Sequence, residues 1–220
     1  MTVWTQGNGT AGRDSLLVRC LIDQGIRDPR VLAAFARVPR SFFVPDEARD
    51  EAEADRPLEI GCGQTISQPY VVAVMTAAIR PQKGMRVLEV GTGSGYQAAV
   101  LSRLAREVVT VERYRTLADT ARSRLAALGY ENVDVIVGDG FAGVPDRAPF
   151  DRIIVTAAAE EVPAALTKQL AEGGVMLLPL GPHGGTQYLV KLTKTAGKLA
   201  RETLLAVRFV PLVPGQAREL

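Results

Sequence analysis

The sequence predicts an α/β fold, with a doubly wound, mostly parallel sheet of seven strands, an N-terminal helical cap and antiparallel strands at the C-terminal edge. Three observations predict this fold class. Short apolar runs alternate with helical patterns of about ten to fifteen residues, as in βαβ units. Runs such as Arg152–Val155 are continuously apolar after their first residue, as expected for strands buried on both faces. The last two strands follow one another without a helix between them, so they should pair antiparallel.

The helical cap comes first in the chain. Apolar residues recur at helical spacing from Ser15 to Gln24, which predicts a first helix. A second helix follows Asp28, a favourable N-cap residue, with Pro29 at its first position. The stretch VPRSFFVP is bounded by prolines and is predicted to be extended. The charged run DEARDEAEADRP is predicted to be exposed and to form either a short helix or a mobile surface segment.

Helices and strands alternate from Pro69 onwards. The predicted helices are YVVAVMTAAI, YQAAVLSRLAR, TLADTARSRLAALGY and VPAALTKQLAEGG. The first has Pro69 at its opening position, the third ends at Gly129, and the fourth is expected to stop at a glycine pair. The predicted strands are MRVLEVG, VVTVER, VDVIVGDG, FDRIIVTAA, VMLLPLG, TQYLVKLTKTA and ETLLAVRFVPL.

The length and composition of the chain are those of a single globular domain. Its 220 residues are enough for one sizeable core. We therefore expect one domain over residues 1–220, with the cap at 1–57 and the α/β core at 58–220. Hydrophobic residues make up 47% and charged residues 23%, which are ordinary values. The net charge of +2 is nearly balanced and the basic residues are interleaved with acids, which argues against a nucleic-acid partner.

Neither a membrane segment nor a metal site is predicted. No apolar run reaches membrane-spanning length. Residues 1–14 are too polar for a signal or transit peptide, so we expect a cytoplasmic location and no membrane partner. Cys20 and Cys62 are not at metal-ligand spacing and are expected to remain thiols.

A glycine cluster, VLEVGTGSGY, follows a predicted strand and opens a helix, where doubly wound sheets bind nucleotides. Its glycines are Gly91, Gly93 and Gly95, and Tyr96 occupies the place of the third glycine of a dinucleotide fingerprint. No Gly-Lys-Ser or Gly-Lys-Thr of a P-loop follows. Glu112 ends the next strand about twenty residues after the first glycine, where an acid can accept hydrogen bonds from ribose hydroxyls. This combination indicates a site for S-adenosylmethionine (AdoMet).

A third loop, GDG at 138–140, follows the next strand and reaches the same edge of the sheet. Alone it would more often be a simple turn, but beside two cofactor loops Asp139 is expected to accept a hydrogen bond from the adenine amino group. The predicted cofactor-binding residues are Gly91, Thr92, Gly93, Gly95, Glu112, Asp139 and Gly140.

In these segments the chain resembles the protein-L-isoaspartate (D-aspartate) O-methyltransferase family. The matching segments, in the family's order, are VPRSFFVP, PLEIGCGQTISQPYVVAVMT, VLEVGTGSGYQAAVLSRL, VVTVER, LGYENVDVIVGDG, APFDRIIVTAAAEEVP, QLAEGGVMLLPLG and VRFVPL. The resemblance implies methyl transfer from AdoMet to the free carboxylate of L-isoaspartyl residues in proteins and peptides. The ester then forms a succinimide, which begins repair. It also implies that the last two strands exchange places relative to most AdoMet enzymes, and that the cap and the VRFVPL segment close over the substrate. The simpler alternative is that both only cover the sheet.

The segment GQTISQPY places neutral hydroxyl donors just before a helix. An isoaspartyl carboxylate is already ionised at neutral pH, because free carboxyl groups titrate near about 4, so the reaction needs positioning and no strong base. The resemblance implies that Ser67 is the catalytic residue. Thr65, Ile66 and Gln64 are the predicted substrate-binding residues, and the backbone at 63–66 could hold the substrate as an added strand. Alternatively, Ser67 caps the helix that follows.

Several alternatives remain open at this point. The chain could be another AdoMet methyltransferase that acts on a dedicated peptide or small molecule, or a binding module without activity. It departs from the family pattern at Glu53, Cys62 and Val144, of which the first two border the substrate loop and leave the peptide preference open. We expect a monomer, and we expect Ser67 to share one rim with the cofactor loops.

Overall fold

The computed structural model describes residues 15–217, so the expectations for residues 1–14 concern a segment outside the described part of the chain. Two sheets are present within this range: a small antiparallel hairpin and a sheet of seven strands. The strands are β1 (Leu58–Gly61) and β2 (Gln64–Ile66) in the hairpin, and β3 (Arg86–Val90), β4 (Glu107–Glu112), β5 (Val133–Val137), β6 (Phe150–Val155), β7 (Leu170–Leu180), β8 (Gln187–Thr195) and β9 (Lys198–Val207) in the main sheet.

The main sheet has the order β5-β4-β3-β6-β7-β8-β9. Its first five strands pair in parallel, whereas β8 and β9 are antiparallel to their neighbours. The predicted fold class is therefore confirmed. The last strand, β9, lies at the edge with β8 between it and β7, in agreement with the strand exchange that the family resemblance implied. The strand order reverses at β3, which places a crevice at the carboxyl ends of the strands beside it.

The helices cover both faces of the sheet. They are α1 (Leu16–Asp23), α2 (Pro29–Arg37), α3 (Pro69–Ile79), α4 (Tyr96–Ser102), α5 (Arg115–Ala127) and α6 (Ala164–Gln169), with 3₁₀ helices at Arg40–Phe43, Asp46–Glu51 and Pro145–Arg147. On one face, α3 and α4 bury Met75 and Leu101 against Val87 and Ile154 of the sheet. On the other face, α6 buries Leu166 among strand residues. None of the helices between residues 15 and 217 is both long and apolar enough to cross a membrane.

The cap packs directly on the α/β core. Leu21 of α1, Phe35 of α2 and Phe43 share one buried cluster with Tyr96 and Val100 of α4. The two cap helices have the predicted starts, because Ser15 accepts a hydrogen bond from Val18 N and Asp28 accepts one from Arg30 N. The charged run at the end of the cap contains the 3₁₀ helix Asp46–Glu51, in agreement with the first of the two predicted alternatives.

One predicted extended segment is helical. VPRSFFVP forms the 3₁₀ helix Arg40–Phe43 between its prolines. Arg40, at the start of this helix, is only 2% exposed, and its side chain donates hydrogen bonds to the carbonyl oxygens of residues 52, 54, 56 and 67. These long-range contacts hold the turn, and no local pattern reports them.

The predicted helix VPAALTKQLAEGG is too long. Its helical part, α6, ends at Gln169, and β7 begins at the next residue. The side chain of Gln169 accepts a hydrogen bond from Val144 N at 2.8 Å and donates one to Ala142 O at 2.7 Å. Leu170 pairs with Phe150 of β6, so the chain is extended before the glycine pair is reached. The hairpin of β1 and β2 was not predicted as strands either.

Candidate active site

The three predicted cofactor loops lie at the carboxyl ends of β3, β4 and β5, and backbone hydrogen bonds join them. Gly91 N, after β3, donates to Val111 O of β4 at 2.8 Å. Gly138 N, after β5, donates to Glu112 O at 2.9 Å. The parallel register therefore brings these loops to one edge, as the sequence predicted.

The glycine loop needs its glycines for two physical reasons. Gly91, Gly93 and Gly95 have φ angles of 96°, 52° and 89°, in the left-handed region that side chains rarely adopt. A Cβ on Gly91 would also lie 2.4 Å from Oγ1 of Thr156. The Thr156 hydroxyl is fixed there because it donates to Gly91 O at 2.6 Å. Of the three, Gly91 and Gly93 line the cleft with bare backbone.

Glu112 is tied to the glycine loop. Its Oε2 accepts a hydrogen bond from Gly93 N at 2.8 Å, and its Oε1 accepts one from Tyr114 N at 3.1 Å. The side chain is 6% exposed. Each oxygen of a carboxylate can accept more than one hydrogen bond, so Glu112 retains capacity for ribose hydroxyls while it holds the loop.

Two predicted cofactor residues do not line the cleft. Gly95 lies at the start of α4, where a Cβ would approach Ala121 Cβ of α5 at 3.3 Å, so its small size lets the two helices pack closely. The carboxylate of Asp139 accepts a hydrogen bond from Phe141 N at 2.8 Å. Its neighbour Gly140 does line the cleft. A contact between Asp139 and adenine stays a prediction.

One cleft joins the hairpin to the glycine loop. Its empty volume is about 770 Å³, including the open mouth. The predicted residues that line it are Gln64, Thr65, Ile66, Ser67, Gly91, Thr92, Gly93, Glu112 and Gly140. The structure thus brings the predicted substrate residues and most of the predicted cofactor residues to one rim.

The alternative interpretation of Ser67 as a helix cap is not what the structure shows. The N-cap residue of α3 is Gln68, and no side chain of the cap residue bonds the helix backbone. Asp55 takes this role from a distance, because its Oδ1 accepts a hydrogen bond from Tyr70 N at 2.8 Å. Ser67 lines the cleft and is not the N-cap residue of the helix.

The structure adds a residue that sequence reasoning missed, Glu89 of β3. Its side chain lines the cleft but is fully buried, and neither carboxyl oxygen has a hydrogen-bond partner within residues 15–217. The pKa of Glu89 is raised to about 8, mainly by burial and also by the charge of Glu112, while the nearby Thr110 hydroxyl partly offsets the rise. Glu89 could have been noticed in the sequence as the acid in VLEVG, two residues before Gly91.

Tyr96 is a second such residue. It occupies the place of the missing third glycine, lines the cleft and is 1% exposed. Its ring packs edge-on against Phe35 and Phe43 of the cap, with centroid distances of 6.0 and 5.6 Å. Burial raises the pKa of its hydroxyl, so the group stays neutral. Tyr96 therefore connects the cap to the wall of the cleft.

The segment that follows β9 supplies another wall. Leu212 N donates to Ala158 O at 2.7 Å, and Ala158 N donates to Val210 O at 2.8 Å, so this segment is anchored beyond the end of β6. Residues 210–213 line the cleft. The expectation that VRFVPL covers the substrate thus has a structural counterpart in its last three residues, which border the site.

The cleft fits AdoMet on its own chemistry. The glycine loop offers bare backbone, and the Glu112 carboxylate can accept hydrogen bonds from hydroxyls. The Glu89 carboxyl, which has no hydrogen-bond partner among residues 15–217, can accept a hydrogen bond from the cofactor. Among residues 15–217, no cluster of three or more His, Cys, Asp or Glu side chains could hold a metal ion.

Comparison with known sequences gives one consistent family. A sequence model described as Protein-L-isoaspartate(D-aspartate) O-methyltransferase matches residues 12–217. The protein-L-isoaspartate O-methyltransferase of Rhodopseudomonas palustris (strain BisB18) is 57% identical over 197 residues, which cover 90% of this chain and 91% of that protein. The protein of the same name from Parvibaculum lavamentivorans is 57% identical over 205 residues, which cover 92% of each.

Solved structures give the same likeness. One protein-L-isoaspartate O-methyltransferase superposes with a TM-score of 0.81 at 34% identity and covers 89% of this chain and 64% of that longer one. A Plasmodium falciparum beta-aspartate methyltransferase, solved in complex with S-adenosyl-L-homocysteine, has a TM-score of 0.81 at 25% identity and covers 94% of this chain and 99% of that one. Both superpositions extend over most of the chain.

Proposed function

Because the chain belongs to the protein-L-isoaspartate(D-aspartate) O-methyltransferase family, we propose a role in the reaction for the residues that line its cleft. The reaction is methyl transfer from AdoMet to the free carboxylate of L-isoaspartyl residues in damaged proteins and peptides. The methyl ester forms a succinimide, whose hydrolysis returns some normal aspartate. We assign Ser67 to catalysis and Gln64, Thr65 and Ile66 to substrate binding, with the glycine loop and Glu112 holding the cofactor.

The chemistry requires positioning more than acid or base catalysis. When bound, AdoMet supplies a methyl group activated by a positively charged sulfur. The acceptor carboxylate is ionised at neutral pH, since free carboxyl groups titrate near about 4, so no side chain has to remove its proton. The cleft has to hold the acceptor oxygen in line with the methyl carbon, and such alignment can lower a barrier by several kcal/mol.

The hydroxyls of Ser67 and Thr65 suit this task. A cation against the carboxylate would stabilise it more before the reaction than in the transition state, where its charge is already reduced. Neutral donors orient the oxygen without that cost. The single cation among the described residues that line the cleft is Arg113, just after β4, whose Nε donates to Gly215 O at 3.4 Å.

The hairpin can also hold the main chain of the substrate. Within the described residues, β2 pairs only with β1, so its other edge has unpaired backbone groups. An extended peptide can add to such an edge as a further strand, and this places its isoaspartyl side chain beside Ser67.

The observation that carries the proposal is that Ser67, Gly93 and Glu112 line the same cleft. The test uses AdoMet with a labelled methyl group and two peptides that differ only in an aspartyl or isoaspartyl linkage. We expect base-labile label on the isoaspartyl peptide alone. Label on neither peptide, with AdoMet still bound, would point to a different substrate, and failure to bind AdoMet would refute the cofactor assignment.

We further infer that the chain acts as a monomeric single domain on protein substrates and not on nucleic acid. The shared buried cluster of cap and core supports one domain, and the nearly balanced net charge of +2 argues against a nucleic-acid partner. Light scattering after gel filtration tests whether the protein is a monomer. A fluorescence titration with duplex DNA and RNA tests whether it binds nucleic acid. The expected cytoplasmic location stays a prediction.

A further inference from the structure

A buried arginine outside the cleft holds the base of the hairpin. Arg40 is 2% exposed, and its guanidinium donates four hydrogen bonds to backbone carbonyl oxygens. Nη1 donates to Ala52 O at 2.7 Å and to Ala54 O at 3.3 Å. Nη2 donates to Arg56 O at 3.0 Å and to Ser67 O at 3.1 Å. One side chain therefore bridges the segment before β1 and the residue just after β2.

A carboxylate in the same entry segment makes a second bridge. Asp55 Oδ1 accepts a hydrogen bond from Tyr70 N at 2.8 Å. Its Oδ2 accepts hydrogen bonds from Gln68 Nε2 at 2.9 Å and from Gln24 Nε2 at 2.8 Å. Asp55 thus joins the entry of the hairpin to the start of α3 and to the end of α1.

The two bridges enclose the hairpin. Its entry at 52–56 and its exit at 67–70 are tied to one another by Arg40 and Asp55, and residues 58–66 form the loop between them. Neither Arg40 nor Asp55 lines the cleft, whereas the hairpin residues and Ser67 do. The chain at Ser67 is therefore held by groups that do not line the cleft.

We propose that Arg40 and Asp55 are positioning residues, a clamp that fixes the hairpin base so that Ser67 meets the acceptor carboxylate in reactive geometry. This proposal rests on the proposed role of Ser67. A substitution far from the reacting atoms that displaces a catalytic group by about 1 Å can slow a reaction about a hundredfold. The clamp predicts a loss of turnover without a loss of cofactor affinity.

The chemistry of the clamp requires these two side chains. The planar guanidinium of Arg40 presents donors in a rigid fork and reaches carbonyls on both sides, which the single ammonium of a lysine cannot match. The carboxylate of Asp55 is an acceptor only, whereas an asparagine would direct an NH₂ group at one of its present donors. Arg40→Lys and Asp55→Asn are therefore conservative in size but break the bridges.

The test compares these variants with matched exposed positions. Arg49→Lys and Asp50→Asn serve as controls, because both residues are exposed on the neighbouring 3₁₀ helix Asp46–Glu51. For each variant, kcat and KM are measured with an isoaspartyl peptide, S-adenosyl-L-homocysteine affinity by calorimetry, and backbone amide exchange by mass spectrometry.

We expect kcat to fall at least about tenfold in Arg40→Lys and about threefold or more in Asp55→Asn, with cofactor-product affinity within about twofold of the parent. Amides of residues 64–70 should exchange faster, while those of β3 and β4 keep their protection. Both controls should match the parent. Unchanged kcat and exchange in both clamp variants would overturn the proposal, as would a loss of turnover that only parallels loss of cofactor binding. If Arg40→Lys does not fold, Asp55→Asn decides.

A double-mutant cycle separates this proposal from the role of Ser67. If the clamp acts through Ser67, then Arg40→Lys should change kcat by less than about twofold when Ser67 is already alanine. If the losses of kcat in Arg40→Lys and Ser67→Ala are fully additive in free energy, the proposal that the clamp positions Ser67 is overturned. If Ser67→Ala alone leaves kcat unchanged, the proposed catalytic role of Ser67 is refuted. The proposal that Arg40 and Asp55 act in catalysis through Ser67 is then refuted as well, even if their substitution changes amide exchange.

Discussion

Glu89 is a carboxylic acid that the folded protein keeps mostly neutral near pH 7. The unfolded chain would ionise it at its ordinary pKa of 4.5, whereas burial raises its pKa to about 8 in the fold. Between these two pH values the folded protein holds a proton that the unfolded chain has released. The contribution of Glu89 to stability is therefore complete below about pH 4.5 and is lost as the pH rises to about 8.

Glu89→Gln should remove this pH dependence. The free energy of unfolding of the variant, relative to the parent, should rise by at least about 1 kcal/mol between pH 5 and pH 8, because glutamine does not titrate. Urea unfolding of the cofactor-free parent and variant at a series of pH values measures this difference in the free energy of unfolding. Curves that stay parallel over this range would show that Glu89 is already ionised in the fold.

Ser67→Ala should slow turnover about tenfold to a hundredfold, because the acceptor carboxylate loses the hydroxyl that aims it. Affinity for S-adenosyl-L-homocysteine should stay within about twofold, since the glycine loop and Glu112 are untouched. Steady-state kinetics and calorimetry measure the two effects. Ser123→Ala, at an exposed serine of α5, is the control. Turnover equal to that of the parent would refute the role of Ser67.

At the residue scale, the sequence predicted those site residues that lie at a fixed place relative to a strand. Gly93 follows β3 and Glu112 is the last residue of β4, so their meeting at one edge follows from a parallel sheet. Tyr96 and Arg40 were not found in this way, because their importance comes from contacts between distant parts of the chain, such as the Arg40 bond to Ser67 O. A side chain that acts through long-range packing leaves no local pattern.

At the scale of elements, local signals were reliable where the local chain decides the structure. α2 begins as predicted because Asp28 caps it and Pro29 fits its first turn. α6 was predicted too long because helical spacing continues into Leu170, which instead pairs with β6. The hairpin of β1 and β2 was missed because its strands have four and three residues, too few for an alternating pattern to show.

The cap of α2 gives a prediction at this scale. Asp28→Ala should lower the free energy of unfolding by about 1 kcal/mol, because Arg30 N loses its acceptor at 2.9 Å. Asp28→Asn should lose much less, since asparagine caps a helix about as well. Urea unfolding at pH 7 distinguishes the two. Equal losses in both variants would assign the effect to the ion pair with Arg30 instead of the cap.

At the scale of the whole molecule, alternation of strands and helices was enough to predict the sheet, including its antiparallel edge. It did not predict that the chain returns from β9 to the centre of the carboxyl edge. That return depends on the hydrogen bonds between Ala158 and residues 210–212, which join segments about fifty residues apart. The wall of the cleft is therefore a property of the completed fold.

Leu212→Ala tests this wall. Leu212 is 7% exposed, and its Cδ1 lies 3.1 Å from the position a Cβ would take on Gly140. We expect a loss of about 2–4 kcal/mol in the free energy of unfolding together with weaker binding of S-adenosyl-L-homocysteine. Leu16→Ala, at a leucine that is 73% exposed, should change neither. Normal cofactor-product affinity in Leu212→Ala would show that the segment only covers the sheet.

Residues 210–213 follow every strand in chain order, although they border the same cleft as the glycine loop after β3. A ribosome makes them after all the strands, so a nascent chain can already contain the whole sheet while one side of its cleft is still missing. Translation that stops soon after β9 would thus release a protein with the family's sheet but an incomplete pocket. We therefore expect full affinity for the methyl donor only after synthesis has passed these residues.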